Sequence, residues 1–206
     1  MTVVDVGAHI GYYTRLFSRL VGPTGRVLSF EVDPDNYQLL ELNTLHHKNV
    51  KMFPVALADR VGDIDFYEST EKSGCHSTVL GAVASQKKRT VPVSDLDTIL
   101  TKEGMKVDIV KIDIEGGEPV AIKGMSRVLQ SNPNLVLITE VSARRLNLAG
   151  TPASAYLRML HSFGFLSFLI QPERLVPVDV LSKEVDAMFH THDPINVLCS
   201  RKEIKI

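Results

Sequence analysis

Short β-branched runs alternate with segments of helical spacing along almost the whole chain, and this alternation constrains the fold more than any other feature. Residues 3–6 are apolar and β-branched apart from Asp5, and Gly7 closes the run. Tyr13, Leu16, Phe17, Leu20 and Val21 then recur at helical spacing until Gly22-Pro23 stops the helix. Residues 26–31 form a second strand. Asp33-Pro34 supplies a cap and a first helical residue for a helix that ends at His46 and His47. Residues 50–57 form the third strand. Further strands are expected at 108–113, 135–141, 165–170 and 195–200, between helices opened by Ser94, Glu118-Pro119 and Thr151-Pro152. Such alternation implies an α/β fold with a doubly wound, mostly parallel sheet. Residues 60–93 interrupt it with two short strands, 63–67 and 89–93, around a polar loop. They are expected to be an insertion within a single domain spanning 1–206.

Composition narrows the function classes. A chain of 206 residues buries about 70% of its unfolded surface, so its core needs no staples. Lys plus Arg number 23 and Asp plus Glu 24, and the net charge of −1 argues against a general nucleic-acid binder. Cys75 and Cys199 are too few for a disulfide framework and suit a reducing compartment. No apolar run approaches the roughly 18 residues of a membrane span. The start has no basic flank and carries Asp5 early, so with Met1 as the true start a cytoplasmic protein is expected.

The most informative segment runs from Asp5 to Thr14, where the first strand turns into the first helix. Ligands in such sheets bind at the carboxyl ends of the strands. Gly7 and Gly11 let backbone approach a ligand closely. Their G-x-x-x-G spacing is not the G-x-G-x-x-G of a pyrophosphate turn, and no P-loop is present. Glu31 ends the second strand, where a carboxylate either accepts both hydroxyls of a ribose or is a solvated acid at a helix start. Asp113 ends a strand expected beside the first and faces the same crevice. Glu115 and Glu118 suit a helix N-terminus, and Glu140 ends the next strand. Cys75-His76 either pairs a nucleophile with a base or belongs to a loop over the site, where His76 touches substrate. Lys87-Lys88-Arg89 is a solvated run or an anion contact. His190-Thr191-His192-Asp193 resembles a metal tract without further ligands at a known spacing, so no metal site is expected.

Asp5-Val6-Gly7-Ala8-His9-Ile10-Gly11, Phe30-Glu31-Val32-Asp33-Pro34 and Lys111-Ile112-Asp113-Ile114-Glu115-Gly116 together resemble the FkbM family of S-adenosylmethionine-dependent methyltransferases. The similarity extends through Ala56-Leu57 and Leu96-Asp97 to Glu140-Val141. It departs at His9, where the family has Asn, and at Val32, where it has Pro. The resemblance implies a class I methyltransferase (Rossmann-like) fold, with a seven-stranded sheet whose last-added strand is antiparallel. It implies that the loop containing Asp5, Gly7, Ala8 and Gly11 holds the methionine part of S-adenosylmethionine, with Asp5 beneath it. Glu31, beside Val32, would bind the ribose. The backbone at Ala56 and Leu57 would hold adenine, with Asp59 a weaker candidate. Asp113 would flank the cofactor and act as base toward a hydroxyl on a small-molecule, sugar or lipid-linked acceptor, with His9 and His76 as further candidates by position. A metal-assisted variant would use Asp113 with Glu140.

Two other readings stay open: a nucleotide-dependent oxidoreductase, against which the glycine spacing speaks, and a methyltransferase-like module that binds without turnover. The first strand begins two residues from Met1, so the usual substrate-covering N-terminal segment is expected to be absent or truncated, which favours the second of these. Oligomeric state has no readable signature here.

Overall fold

Pairing of the β-branched runs builds one large sheet with helices on both faces. The computed structural model describes residues 1–71, 74–83, 86–190 and 194–204. In chain order the elements begin β1 (Thr2–Val6), α1 (Tyr12–Val21), β2 (Arg26–Phe30), α2 (Pro34–Thr44), β3 (Val50–Phe53), β4 (Ala56–Leu57), β5 (Gly62–Ser69) and β6 (Gln86–Ser94). They continue α3 (Leu96–Glu103), β7 (Ile109–Ile112), α4 (Glu118–Lys123), α5 (Ser126–Ser131), β8 (Val136–Val141) and α6 (Ala143–Leu148). The chain then forms α7 (Ala153–Ser162), β9 (Leu166–Gln171), β10 (Arg174–Val178), α8 (Val185–Met188) and β11 (Ile195–Ser200).

The main sheet has the order β10-β9-β11-β8-β7-β1-β2-β3. Strands β3, β2, β1, β7 and β8 run parallel, and β11 inserts antiparallel between β8 and β9. The antiparallel last strand is therefore where the family resemblance put it, but the sheet has eight strands rather than seven. The extra strand, β10, folds back on β9 as an edge hairpin. Strand order reverses between β1 and β7, which makes that junction the switch point of the sheet. Val6 is level with both Phe30 and Ile112, so the chain leaves β1, β2 and β7 at one edge and brings residues 7, 31 and 113 together.

The apolar core lies on one face, where Val4, Val6, Leu28, Val110 and Leu137 pack against α3 to α7 through residues such as Leu96, Ile122, Leu129 and Tyr156. Tyr156 is fully buried, and its hydroxyl shares a 2.8 Å hydrogen bond with Thr139. The opposite face, under α1, carries a polar row. Thr14 donates to Oδ2 of Asp5 at 2.7 Å and lies 2.9 Å from the Ser29 hydroxyl. Consequently α1 buries Thr14 and Ser18, while Leu16 and Leu20 of its apolar stripe stay exposed. The helical spacing located the helix, but the polar sheet beneath chose its inner face.

Local chemistry moves several boundaries. Pro54 lacks a ladder N–H, and the expected 50–57 strand divides there into β3 and β4. Strand β4 joins the β5–β6 hairpin in a separate sheet of order β4-β6-β5. The cap of α3 is Asp95, not Ser94, because the Asp95 carboxylate accepts the Thr98 N–H at 2.7 Å. His46 and His47 lie beyond α2, and His47 Nδ1 instead bonds Ser18 Oγ at 2.7 Å. The helix opened by Glu118-Pro119 breaks at Gly124. A Cβ there would lie 1.8 Å from the Ala58 carbonyl oxygen, and the Asp97 carboxylate starts α5 by accepting the Arg127 and Val128 N–H groups at 2.9 Å each.

Candidate active site

The β1–α1 loop is pinned to its neighbours by backbone. Gly7 has φ +77°, and a Cβ on it would lie 1.9 Å from the Asp113 carbonyl oxygen, so only glycine fits the crossing of the β1 and β7 ends. The Gly7 and Ala8 N–H groups both donate to the Phe30 carbonyl, at 3.0 and 2.9 Å. Gly11, φ +90°, caps α1 against Leu40 of α2.

Glu31 joins this loop to the next. Its Oε2 accepts the His9 N–H and its Oε1 the Asp33 N–H, each at 2.8 Å. The residue is 8% exposed. Burial pushes its carboxyl up to about 7, partly offset by the N–H groups of Asp33 and His9. A carboxylate offers about four lone-pair sites, more than these backbone donors occupy.

Beside Glu31 opens a cleft with about 600 Å³ of empty space, the open solvent at its mouth included. Gly7, His9, Glu31, Val32, Ala56, Leu57, His76 and Asp113 all line it. Phe30, Val55 and Phe66 make one side apolar. Asp5, Ala8 and Gly11 do not reach it: Asp5 is wholly buried under α1, and the other two shape the loop from behind. Asp59 also stands outside, next to Arg60. His9 (φ 50°) and Glu115 (φ 57°) are the non-glycine residues with positive φ among those described, and both line this cavity. Such strain persists where surrounding structure enforces it, and it clusters at functional sites.

Residues 74–78 form the outer wall. Ser77 is buried and donates to the Glu115 carbonyl at 2.7 Å. His76 Nδ1 accepts the Ser69 N–H at 2.9 Å, which places the neutral ring's proton on Nε2, 3.9 Å from Asp33. That leaves the neutral imidazole no free lone pair, so His76 is a wall residue and not a base. Burial, then the neighbouring His76, holds His9 below the ordinary histidine range. Of the His190-to-Asp193 tract, residues 191–193 lie outside the described residues. Lys88 pairs with Asp65 in solvent, while Arg89 pairs with the largely buried Glu68.

On the β7–β8 side the cavity meets a cluster of charge. Oxygens of Asp113, Glu115 and Glu140 lie within 4.8 Å of one another. The Arg145 guanidinium bridges Glu115 and Glu140, the latter at 3.4 Å. Glu118 accepts the Ile114 and Gly116 N–H groups at 3.0 Å each. Burial raises Glu115 and Glu118 to about 7, and burial with the Asp113 charge raises Glu140 to about 8. Asp113 Oδ2 is 3.3 Å from Lys111 Nζ. Sequence reasoning gave no role to Lys111 or Arg145. A lysine inside a four-residue apolar strand was a readable signal, but Arg145, one of two consecutive arginines in α6, carried none.

A parallel sheet with an antiparallel last strand, a glycine turn after β1 and a buried acid after β2 defines a class I methyltransferase architecture. The Methyltransferase FkbM domain matches residues 5–167, and the chain belongs to that family of S-adenosylmethionine-dependent methyltransferases. It is 27% identical over 194 residues to the 2-O-methyltransferase NoeI of Sinorhizobium fredii, covering 87% of this chain and 77% of that protein. It is 30% identical over 138 residues to the hexuronic acid methyltransferase AglP of Haloferax volcanii, covering 65% of this chain and 53% of the relative. The crystal structure of methyltransferase FkbM from Methylobacillus flagellatus superposes with a TM-score of 0.57 at 16% identity, over 96% of this chain and 43% of the other.

The cavity fits the family's cofactor. Gly7 brings bare backbone to the cavity wall, Glu31 presents a buried carboxylate there, and the apolar side suits a flat base.

Proposed function

We propose that this chain methylates a hydroxyl oxygen of a sugar-like small molecule, with Asp113 taking the hydroxyl proton. The observation that carries this reading is the position of Asp113. It lines the cavity and at the same time borders the Glu115–Arg145–Glu140 cluster, so one carboxylate belongs to both halves of the site. The name of one relative, a 2-O-methyltransferase, supports an oxygen acceptor, and that of the other, a hexuronic acid methyltransferase, supports a sugar-like one.

Bound S-adenosylmethionine supplies a methyl group on a sulfonium sulfur, which keeps the electron pair of the broken carbon–sulfur bond and needs no acid to leave. The protein's task is therefore to align and to remove a proton. Glu31 would accept the ribose hydroxyls, Ala56 and Leu57 would flank the adenine, and the Gly7 turn, shaped by Asp5, Ala8 and Gly11, would face the methionine part. Alignment alone is worth up to roughly 7–11 kcal/mol of barrier. Asp113 takes the acceptor proton as the oxygen forms its new bond to carbon. Lys111 and Arg145, the cations on the acceptor side, are each paired with acids, which leaves neither free to hold a phosphate backbone. Among the described residues no helix is long and apolar enough to cross a membrane. A cytoplasmic enzyme is the matching proposal, with 1–206 as one domain and 60–93 inserted in it to wall the site.

Calorimetry with S-adenosylhomocysteine and with NAD tests the cofactor half. The homocysteine compound should bind and NAD should not. Tighter binding of NAD would overturn the assignment.

A further inference from the structure

A lysine in the middle of an apolar strand must be paired to be tolerated. Lys111 lies in β7 between Val110 and Ile112, and its side chain is 8% exposed. Its Nζ is 3.3 Å from Asp113 Oδ2 and 3.8 Å from Asp5 Oδ1, and it sits 4.8 Å from the centre of the Tyr13 ring. Asp5 Oδ1 is buried and has no hydrogen-bond partner among the described residues, while Oδ2 is taken by Thr14. One ammonium thus meets β1 through Asp5, α1 through Tyr13 and the end of β7 through Asp113. The other cation near the acids, Arg145, is engaged by Glu115 and Glu140.

We propose that Lys111 is a positioning residue for methyl transfer: its ammonium holds one carboxylate oxygen of Asp113 against the Asp5–Tyr13 wall and leaves the other for the acceptor hydroxyl. Positions 111 and 113 project to the same side of β7, so the lysine reaches its partner along the strand. A charge-assisted bond to one oxygen fixes the carboxylate's rotation, and Asp113, with a side chain 32% exposed, has little packing to do so. Through Asp5 and Thr14 the same ammonium couples Asp113 to the loop that carries Gly7. This rests on the assignment of Asp113 as the group that receives the acceptor proton.

A purely structural role, neutralising Asp5, predicts different kinetics, and a double-mutant cycle separates the two. Lys111→Met, Asp113→Asn and the double variant are compared by single-turnover methyl transfer, by S-adenosylhomocysteine titration and by urea unfolding. Lys111→Met should slow transfer about 10–100-fold, the cost of a slightly misplaced reacting group, with cofactor affinity nearly unchanged. In the Asp113→Asn background the same change should cost almost nothing further, since its target is gone. Lys111→Arg should recover part of the rate by restoring the charge. Losses that multiply in the double variant, or wild-type transfer by Lys111→Met, would overturn the proposal. The cycle is repeated on Asp5→Asn, which removes the acid that Lys111→Met strands, so that a folding defect does not decide the outcome. Should the wild-type chain bind S-adenosylhomocysteine yet methylate no hydroxyl, the methyl-transfer reading falls. The unfolding cycle still reports whether residues 111 and 113 are coupled, and multiplicative unfolding constants there would overturn the contact itself.

Discussion

Affinity for S-adenosylhomocysteine should rise with pH and level off above about 7, and Glu31 should be the cause. Burial lifts its carboxyl from the ordinary 4.5 to about 7 in the folded protein. A shift of that size corresponds to about 3 kcal/mol, as an order of magnitude. The sign for folding is fixed by which state holds the proton. Below about 4.5 both states are protonated. Between about 4.5 and 7 only the unfolded chain has lost the proton, so this residue makes stability fall as pH rises, and the cost is complete above 7. Binding works the other way. Ribose hydroxyls donate, and the ionised carboxylate accepts them with two charge-assisted bonds, each worth about 1.5–3 kcal/mol. The protonated form gives up one acceptor site. Affinity should therefore weaken roughly tenfold or more from pH 8 to pH 5.5, with proton release on binding below pH 7. Calorimetry across that range, in buffers of different ionisation enthalpy, measures both. Glu115, Glu118 and Glu140 titrate nearby, so Glu31→Gln is the control: it should bind more weakly at pH 8 and show a much flatter profile. An unchanged pH profile in Glu31→Gln, or none in the wild type, would refute the reasoning.

Gly7→Ala should cost about 1–2 kcal/mol for its left-handed backbone alone, and more for the overlap with the Asp113 carbonyl, lowering the urea midpoint and abolishing cofactor binding together. Asp97→Ala should remove the cap of α5 and about 1–3 kcal/mol of stability, read in urea, while S-adenosylhomocysteine affinity stays near wild type because the residue is outside the cavity.

The alternation of strands and helices was legible because a buried parallel strand must be a short apolar run, and the Gly7 turn, Glu31 and Asp113 were legible because strand ends at a switch point are exposed by topology. Features created by distant contacts were not. Nothing local to Gly124 says that the Ala58 carbonyl passes against it, or that Asp97 caps the helix that follows. The apolar stripe of α1 named the wrong inner face, because the Asp5–Ser29 row that selects Thr14 and Ser18 comes from two other elements. Residues 174–178, to which the sequence reading assigns no element, form the edge strand β10, where Pro177 is tolerated. At the site, the sequence left His76 either a loop residue over the cavity or a further candidate base. The Ser69 N–H on its Nδ1, a contact no local pattern announces, favours the first.

The most direct test of the account is single-turnover methyl transfer to a panel of sugar hydroxyl acceptors, with the wild-type chain and Asp113→Asn side by side and cofactor affinity measured on both. The account predicts a product methylated on oxygen and matched by S-adenosylhomocysteine released. It also predicts an Asp113→Asn variant that keeps most of its cofactor affinity but transfers about 10²–10⁴-fold more slowly, the range for loss of a positioned proton acceptor. Equal rates for the two proteins, or firm cofactor binding with no methylated product from any acceptor, would contradict it.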